Sequence, residues 1–223
     1  MAPKHRFKDS EVSALVTRNN YETMRALAAQ QFAQSDHDAA VGRFGLQRDE
    51  RFIYLSFLAD DYRICVADGC VQVRLDDAWQ TAGVDEAMTI YDLLTYAKPQ
   101  AKPAKSFASI DSLNKALISS APKNAQAYAN QAQHLDEHPE HIAAAMGAIG
   151  ARMVDGGDIA AQIELFAGLD AQLRFWASDD EFAAQLQVLF DENTLAFMHF
   201  ETAWYAANAL VKKLMNAFES EIG

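Results

Sequence analysis

Carboxylates cluster just before the first strand and just after the second strand of a predicted β-hairpin near the carboxyl end of the chain. Asp158 begins the first strand of this hairpin and Ser178 follows the second, so antiparallel pairing brings the two positions together. Carboxylates grouped in this way bind divalent cations or act as a general base. The group, called the acidic corner below, comprises Asp155, Asp158, Asp179, Asp180, Glu181 and Asp191.

A structural interpretation of the same residues competes with the chemical one, and we favour it. Ser178 and Glu181 have the spacing of a helix capping box, and Asp179 and Asp180 would place negative charge at a helix amino terminus. Asp191 precedes the last predicted helix and is explained as a cap. A divalent metal site in the acidic corner remains the alternative, and it requires at least three of these carboxylates to converge.

Three histidines form a second candidate metal site. His134, His138 and His141 are spaced by four and three residues, which on an uninterrupted helix would face one metal ion. Pro139 interrupts the helix, because proline is well placed as a first helical residue and His138 then caps the new helix. We interpret the segment as a solvated acidic turn, with a transition-metal site at the helix junction as the alternative.

The sequence predicts no bound cofactor. It contains no Gly-rich phosphate loop, nucleophile elbow, HExxH pattern or CxxC pair. His199 lies off the apolar stripe of the last helix, which disfavours a role as a haem ligand. Cys65 and Cys70 are interpreted as ordinary strand residues, too far apart across a two-residue turn for an unstrained disulfide.

Charge and hydropathy narrow the range of partners. The formal net charge of −12 argues against a broad basic surface for nucleic acid or an anionic membrane. The amino terminus lacks the apolar core of a signal peptide, and no apolar run is long enough to span a bilayer. We therefore expect a cytoplasmic protein whose partner is a small molecule or another protein, with the oligomeric state open.

Hydrophobic periodicity predicts a single α+β domain over residues 1–223, in which a β-meander and a C-terminal hairpin pack against several helices. The proline- and lysine-rich residues 98–106 are predicted to be a surface loop. The predicted helices are Ser10–Phe32, Asp85–Ala97, Ser109–Ile118, Asn124–Leu135, Pro139–Val154, a short helix from Ser178 and a long terminal helix from Phe197 to Phe218. The predicted strands are Arg43–Gln47, Arg51–Leu58, Tyr62–Ala67, Cys70–Leu75 and the hairpin strands 158–166 and 171–177.

Two details of the meander follow from its residues. Arg51–Leu58 is apolar at both alternating sets of positions, which predicts a central strand covered on both faces. Asp68 and Gly69 form the typical pair for a two-residue type I′ turn.

The block from Trp176 to Asp191 resembles a family described only as a domain of unknown function, found mainly in anaerobic bacteria and archaea. The similar residues are the Trp-x-x-Asp-Asp-Glu-Phe run and the later Leu-Phe-Asp. The resemblance implies a two-strand unit and a closing helix, and it implies no activity. The chain lacks the cysteine-rich segment of some relatives, and it departs from the family pattern at Ala167–Leu169 and Ala183, where prolines are expected.

Three functional hypotheses remain open. The first is a non-catalytic ligand-binding or accessory protein of anaerobic metabolism, supported by the lack of a catalytic motif. The second is a metal-assisted enzyme that uses the acidic corner. The third is an oligomerising scaffold, which would expose a large apolar patch on its terminal or alanine-rich helices.

Overall fold

A computed structural model describes residues 9–113 and 127–223, and for residues 9–19 it describes the backbone only. Two five-stranded antiparallel sheets with helices packed on them confirm the predicted α+β class. The described helices are α1 (Asp9–Ala33), α2 (His37–Phe44), α3 (Val84–Thr95), α4 (Ile110–Leu113), α5 (Ala129–Asp136), α6 (Ile142–Ala148) and α7 (Phe200–Ile222), with short 3-10 helices at Pro139–His141 and Thr194–Ala196.

The first sheet is the predicted meander, and it contains one strand more than predicted. Its strands lie in chain order: β1 (Gln47–Arg48), β2 (Phe52–Phe57), β3 (Asp60–Cys65), β4 (Val71–Leu75) and β5 (Ala78–Thr81). The prediction that β2 is covered on both faces is wrong. Ile53, Leu55 and Phe57 are buried, whereas Tyr54 is half-buried and Ser56 is exposed, so the sheet has one open face.

Two-residue turns with positive φ at both positions join the strands, but not where the sequence predicted one. Leu58–Ala59 joins β2 to β3 and Asp76–Asp77 joins β4 to β5, all four residues with φ between 47° and 63°. The type I′ turn predicted at Asp68 is wrong, because of the two predicted turn residues only Gly69 has a positive φ, of 71°. Residues 66–69 form a four-residue loop, across which the N–H of Cys65 donates to the carbonyl of Cys70 at 3.0 Å. The two free cysteines therefore flank the loop directly instead of lying diagonally.

The predicted strand Arg43–Gln47 is wrong at its start, where Arg43 and Phe44 end helix α2, whereas Gln47 lies in β1. The carboxylate of Asp36 caps α2 by accepting the N–H groups of Asp38 and Ala39, and Gly45 ends it in the left-handed conformation.

The predicted hairpin forms the centre of the second sheet. Its strands lie in the order β6 (Phe107–Ser109), β10 (Gln185–Asp191), β9 (Leu169–Trp176), β8 (Ile159–Phe166) and β7 (Arg152–Met153). The helix predicted from Ser178 is wrong, since residues 177–184 form a loop that leads into β10. Within β10, Leu186, Val188 and Phe190 are buried at a spacing of two, and the strand pairs with both β9 and β6. These strand contacts override the helical features of the segment.

One hydrophobic cluster includes residues of both sheets and of α3, α5, α6 and α7. Helix α7 confirms the predicted terminal helix: Leu214 and Phe218 are fully buried and Trp204 is half-buried against the core. Met24 and Leu27 belong to the apolar positions whose spacing predicted helix α1. Their predicted burial is wrong, because their side chains are 46% and 55% exposed. The side chains of Val12, Leu15 and Val16, the end of the predicted helix Ser109–Ile118 and the start of Asn124–Leu135 lie outside the described residues.

Candidate functional site

The structure brings the two sides of the acidic corner close together. The carboxylate of Asp158 accepts the N–H of Ala177 at 2.8 Å, which places the start of β8 beside the loop after β9. Asp179 accepts the N–H groups of Glu181 at 2.8 Å and Phe182 at 2.7 Å, and these two hydrogen bonds lower the pKa of Asp179. The side chain of Asp179 therefore caps a turn of the loop, whereas the predicted capping box of Ser178 and Glu181 does not form because no helix follows.

Asp191 lies far from the rest of the acidic corner. Because β10 runs away from the loop, Asp191 is about 20 Å along the strand from it. Its carboxylate is fully buried and accepts the N–H groups of Ala104, Lys105 and Asn193 at 2.7–2.9 Å. Asp191 therefore anchors the irregular connection before β6, and it is not available to a cation at the corner.

The three histidines do not point at a common centre. His134 on α5 is held at one ring nitrogen by Glu219 (2.6 Å) and at the other by Glu137 (3.1 Å), which raises its pKa. His138 and His141 stand 6.3 Å apart between ring centroids, since Pro139 starts a 3-10 helix between them. Among the described residues, no group of three or more His, Cys, Asp or Glu side chains is arranged to hold a metal ion.

His199 is held in place by contacts with Asp92 and Tyr96 on and after α3. Its ring Nδ1 and its backbone N–H both contact the carboxylate of Asp92 on α3, each at 2.7 Å. Its ring packs against Tyr96 with a centroid distance of 3.7 Å and an interplanar angle of 39°. These contacts join the end of α3 to the start of α7.

The open face of the first sheet carries a group of aromatic rings and guanidinium groups that the sequence did not single out. Arg63 on β3 lies between two rings, with its guanidinium carbon 4.1 Å from the centroid of Phe52 and 4.4 Å from that of Trp79. Its Nε donates to the side chain of Gln72 at 2.7 Å. Cation–π contacts on both sides and this hydrogen bond hold Arg63 flat against the face.

A groove of about 470 Å³ opens beside this group. Tyr54 and Trp79 contribute neighbouring rings, 6.4 Å apart between centroids and tilted by 59°. The hydroxyl of Tyr54 donates to Asp49 at 2.7 Å, which lowers the pKa of Asp49 and raises that of Tyr54. Tyr54 is therefore a neutral phenol at physiological pH. The polar side chains lining the groove are Gln47, Ser56, Asp61 and Arg74.

The strand register explains why these residues meet. Gln47 pairs with Tyr54, Tyr54 with Arg63, and Arg74 with Trp79, so the three pairs place outward-facing residues of five strands on one surface. The sequence contained one usable signal, which is the alternation of buried Ile53 and Leu55 with outward Tyr54. The contribution of Trp79 depended on β5, which was not predicted.

A second hollow, of about 570 Å³, lies between α5 and the loop 177–184. There the carboxylate of Asp136 accepts the hydroxyl of Ser178 at 2.6 Å and its N–H at 3.2 Å. Small, amide and acidic side chains line this hollow, and no aromatic ring is among the described lining residues. Both volumes are in the range of small-molecule sites, but only the groove on the first sheet combines rings with convergent polar groups.

Comparison with known proteins places the chain in a family. The family model described as "Domain of unknown function (DUF3786)" matches residues 36–213. The chain belongs to this family. Both sheets and the groove lie within the matched residues, whereas α1 precedes them, so the groove is part of the family domain. Neither the curated proteins nor the solved structures contain a match.

Among the described residues, no helix has both the length and the apolar character needed to cross a membrane.

Proposed function

We propose that this protein is a non-catalytic ligand-binding protein and that the groove on the open face of the first sheet is its binding site. The proposal is based on the tilted pair of rings of Tyr54 and Trp79, which line the groove together with four polar side chains. Arg63 packs against the Trp79 ring next to the groove. Rings supply contact area at low entropic cost, and polar groups orient the ligand.

The architecture around the groove supports binding without chemistry. The carboxylate of Asp61 and the guanidinium of Arg74 line the groove, and Arg74 donates to Asp77 at 2.8 Å. No histidine, cysteine or lysine lines the described groove, and its candidate bases and nucleophiles are limited to Asp61, Ser56 and the tyrosines Tyr54 and Tyr62. A role in anaerobic metabolism and a cytoplasmic location are part of the proposal, and they rest on the family resemblance and on the sequence alone.

The proposal is tested by screening a small-molecule fragment library with ligand-observed NMR against the wild type and Trp79→Ala. Compounds that bind in the groove should lose their signal with Trp79→Ala and keep it with Phe182→Ala, a control that removes an aromatic ring 62% exposed on the loop 177–184. Hits that do not depend on Trp79, or that map to the hollow beside Asp136, would contradict the proposal.

Native mass spectrometry with elemental analysis separates the other hypotheses. Protein purified without added metal should carry none. Stoichiometric metal that is lost with Asp158→Asn would support the metal-assisted enzyme, and a stable dimer would support the scaffold.

A further inference from the structure

The groove on the first sheet has features that select a class of ligand, and this inference rests on the proposed function. Trp79 and Tyr54 are both half-buried, so part of each ring faces the groove. A ring face takes up a ligand with a flat apolar surface: a nucleobase, another aromatic ring, or the C–H face of a pyranose. The rings alone leave these three classes open.

The charged side chains around the groove argue against anionic ligands in these three classes. Arg63 is already sandwiched between Phe52 and Trp79, and Arg74 is paired with Asp77. Asp61 lines the groove, and Asp49 stands behind Tyr54. A phosphate or other anion would therefore meet carboxylates and already engaged guanidinium groups, on a chain whose net charge is −12.

Hydrogen-bonding capacity favours a ligand rich in hydroxyl groups. Asp61 only accepts, Arg74 only donates, and the side chains of Gln47 and Ser56 do both. A hydroxyl group donates and accepts at once, so a polyhydroxylated ring can bond to all four side chains, whereas an aromatic ligand without polar substituents offers them no partner.

The surface next to the groove continues the same pattern. A shallow hollow of about 390 Å³ is lined by Ala59, Asp60, Asp61, Arg74 and Asp77, and it shares Asp61 and Arg74 with the groove. The two depressions therefore form one open track that begins at aromatic rings and continues over polar side chains.

We infer that the site binds an uncharged oligosaccharide. One pyranose stacks on Trp79 and Tyr54, and the next lies over the polar hollow, where its hydroxyl groups bind Asp61, Asp77 and Arg74. The open shape of both depressions allows the chain to extend beyond them.

The test is titration of the full chain with soluble probes, followed by saturation-transfer NMR. The neutral probes are cellotetraose and maltotetraose, the anionic probe is a sulfated tetrasaccharide, and an oligothymidylate tests for nucleic acid. A neutral tetrasaccharide should bind, with a Kd raised about tenfold or more by Trp79→Ala, which is the loss expected for one stacking ring. Trp79→Phe should retain most of the binding, Phe182→Ala should leave it unchanged, and circular dichroism should confirm that each variant is folded.

The outcomes separate this inference from the proposed function. If the sulfated probe or the oligothymidylate binds in place of the neutral sugars and depends on Trp79, the carbohydrate inference is overturned and the groove remains a binding site. If neither neutral sugar binds while fragments do so through Trp79, the carbohydrate inference fails in the same way. If no fragment and no probe depends on Trp79, the proposed function fails with it.

Discussion

Single residues in this protein show how one carboxylate type serves different purposes. Asp179 is exposed and caps a turn, whereas Asp191 is completely buried and accepts two backbone N–H groups of the proline-rich connection, from Ala104 and Lys105, and that of Asn193 after β10. A buried carboxylate is tolerated only when hydrogen bonds replace its hydration. Asp191 is thus a structural residue, although it caps no helix as the sequence favoured and lies too far from the acidic corner for the metal site that was the alternative.

Removal of the Asp191 carboxylate should destabilise the fold strongly. Asp191→Ala leaves the N–H groups of Ala104, Lys105 and Asn193 without their acceptor, and we expect the free energy of unfolding to fall by about 3 kcal/mol. Urea denaturation measures this loss. Asp180→Ala, at an exposed position of the loop 177–184, serves as control and should stay within about 0.5 kcal/mol of wild type. Equal effects of the two variants would refute the anchoring role.

His134 should make stability depend on pH. Glu219 and Glu137 raise its pKa in the folded protein, while the unfolded chain titrates near the ordinary value of about 6.5. The stabilising contribution is therefore complete below the unfolded pKa, and it is lost as the pH rises through the higher folded pKa. Urea denaturation at about pH 6 and about pH 8 should show the decrease. In His134→Gln this part of the decrease should be absent, and in Glu219→Gln it should be smaller because Glu137 remains. A full wild-type profile in either variant would contradict the assignment.

Two-residue tight turns connect neighbouring strands in both sheets. Two-residue turns with positive φ occur at Leu58–Ala59, Asp76–Asp77 and Ala167–Gly168. At the last of these, proline could not replace Ala167 or Gly168, because its ring fixes φ near −65°. The prolines expected there from the family resemblance are therefore incompatible with the turn that this chain makes.

Gly69 lies so close to helix α1 that a side chain at this position would clash with the helix backbone. Its φ is +71°, and a Cβ atom there would stand 2.4 Å from the backbone oxygen of Ala29 in α1. Gly69→Ala should therefore lower the free energy of unfolding by about 2–3 kcal/mol and loosen α1. Thermal unfolding measures the first effect, and amide exchange of residues 20–33 measures the second.

A matched glycine variant isolates the effect of the contact. Gly42 lies inside α2 and a Cβ atom there meets nothing within 4 Å. Gly42→Ala should raise stability by about 0.5–1 kcal/mol through helix propensity. If Gly69→Ala were neutral or stabilising like Gly42→Ala, the close approach of α1 to the loop 66–69 would be disproved.

At the scale of the whole molecule the two sheets contact each other and share a core. The N–H of Leu58, in the turn after β2, donates to the carbonyl of Leu165 on β8 at 3.0 Å. The rings of Phe44 and Phe166 pack edge to face with centroids 4.7 Å apart. Residues of both sheets belong to the same buried cluster, and a shared core predicts cooperative unfolding.

We therefore predict that residues 1–223 behave as one domain with a single unfolding transition. Variants that keep only one of the three tryptophans report on each sheet separately. Trp79 reports on the first sheet, and Trp176 reports on the second. Their fluorescence transitions in urea should coincide, and two separate midpoints would show two independent domains.

The sequence by itself determined the elements whose signal is local. The spacing of Phe200, Trp204 and Val211 predicted α7, and the two long strands β8 and β9 alternate well enough to define their hairpin. The α+β class follows from these periods. Pro139 was correctly placed as a first helical residue, since its missing N–H acts through the backbone alone.

Only the tertiary structure decided the rest. The segment 178–191 begins with the capping pattern that predicted a helix, but pairing with β9 and β6 makes residues 185–191 a strand. That choice separated Asp191 from the acidic corner. The groove likewise depends on which face of β2 is covered and on Trp79 arriving beside Tyr54 from another strand. Such contacts join residues distant in the chain, so no local pattern encodes them.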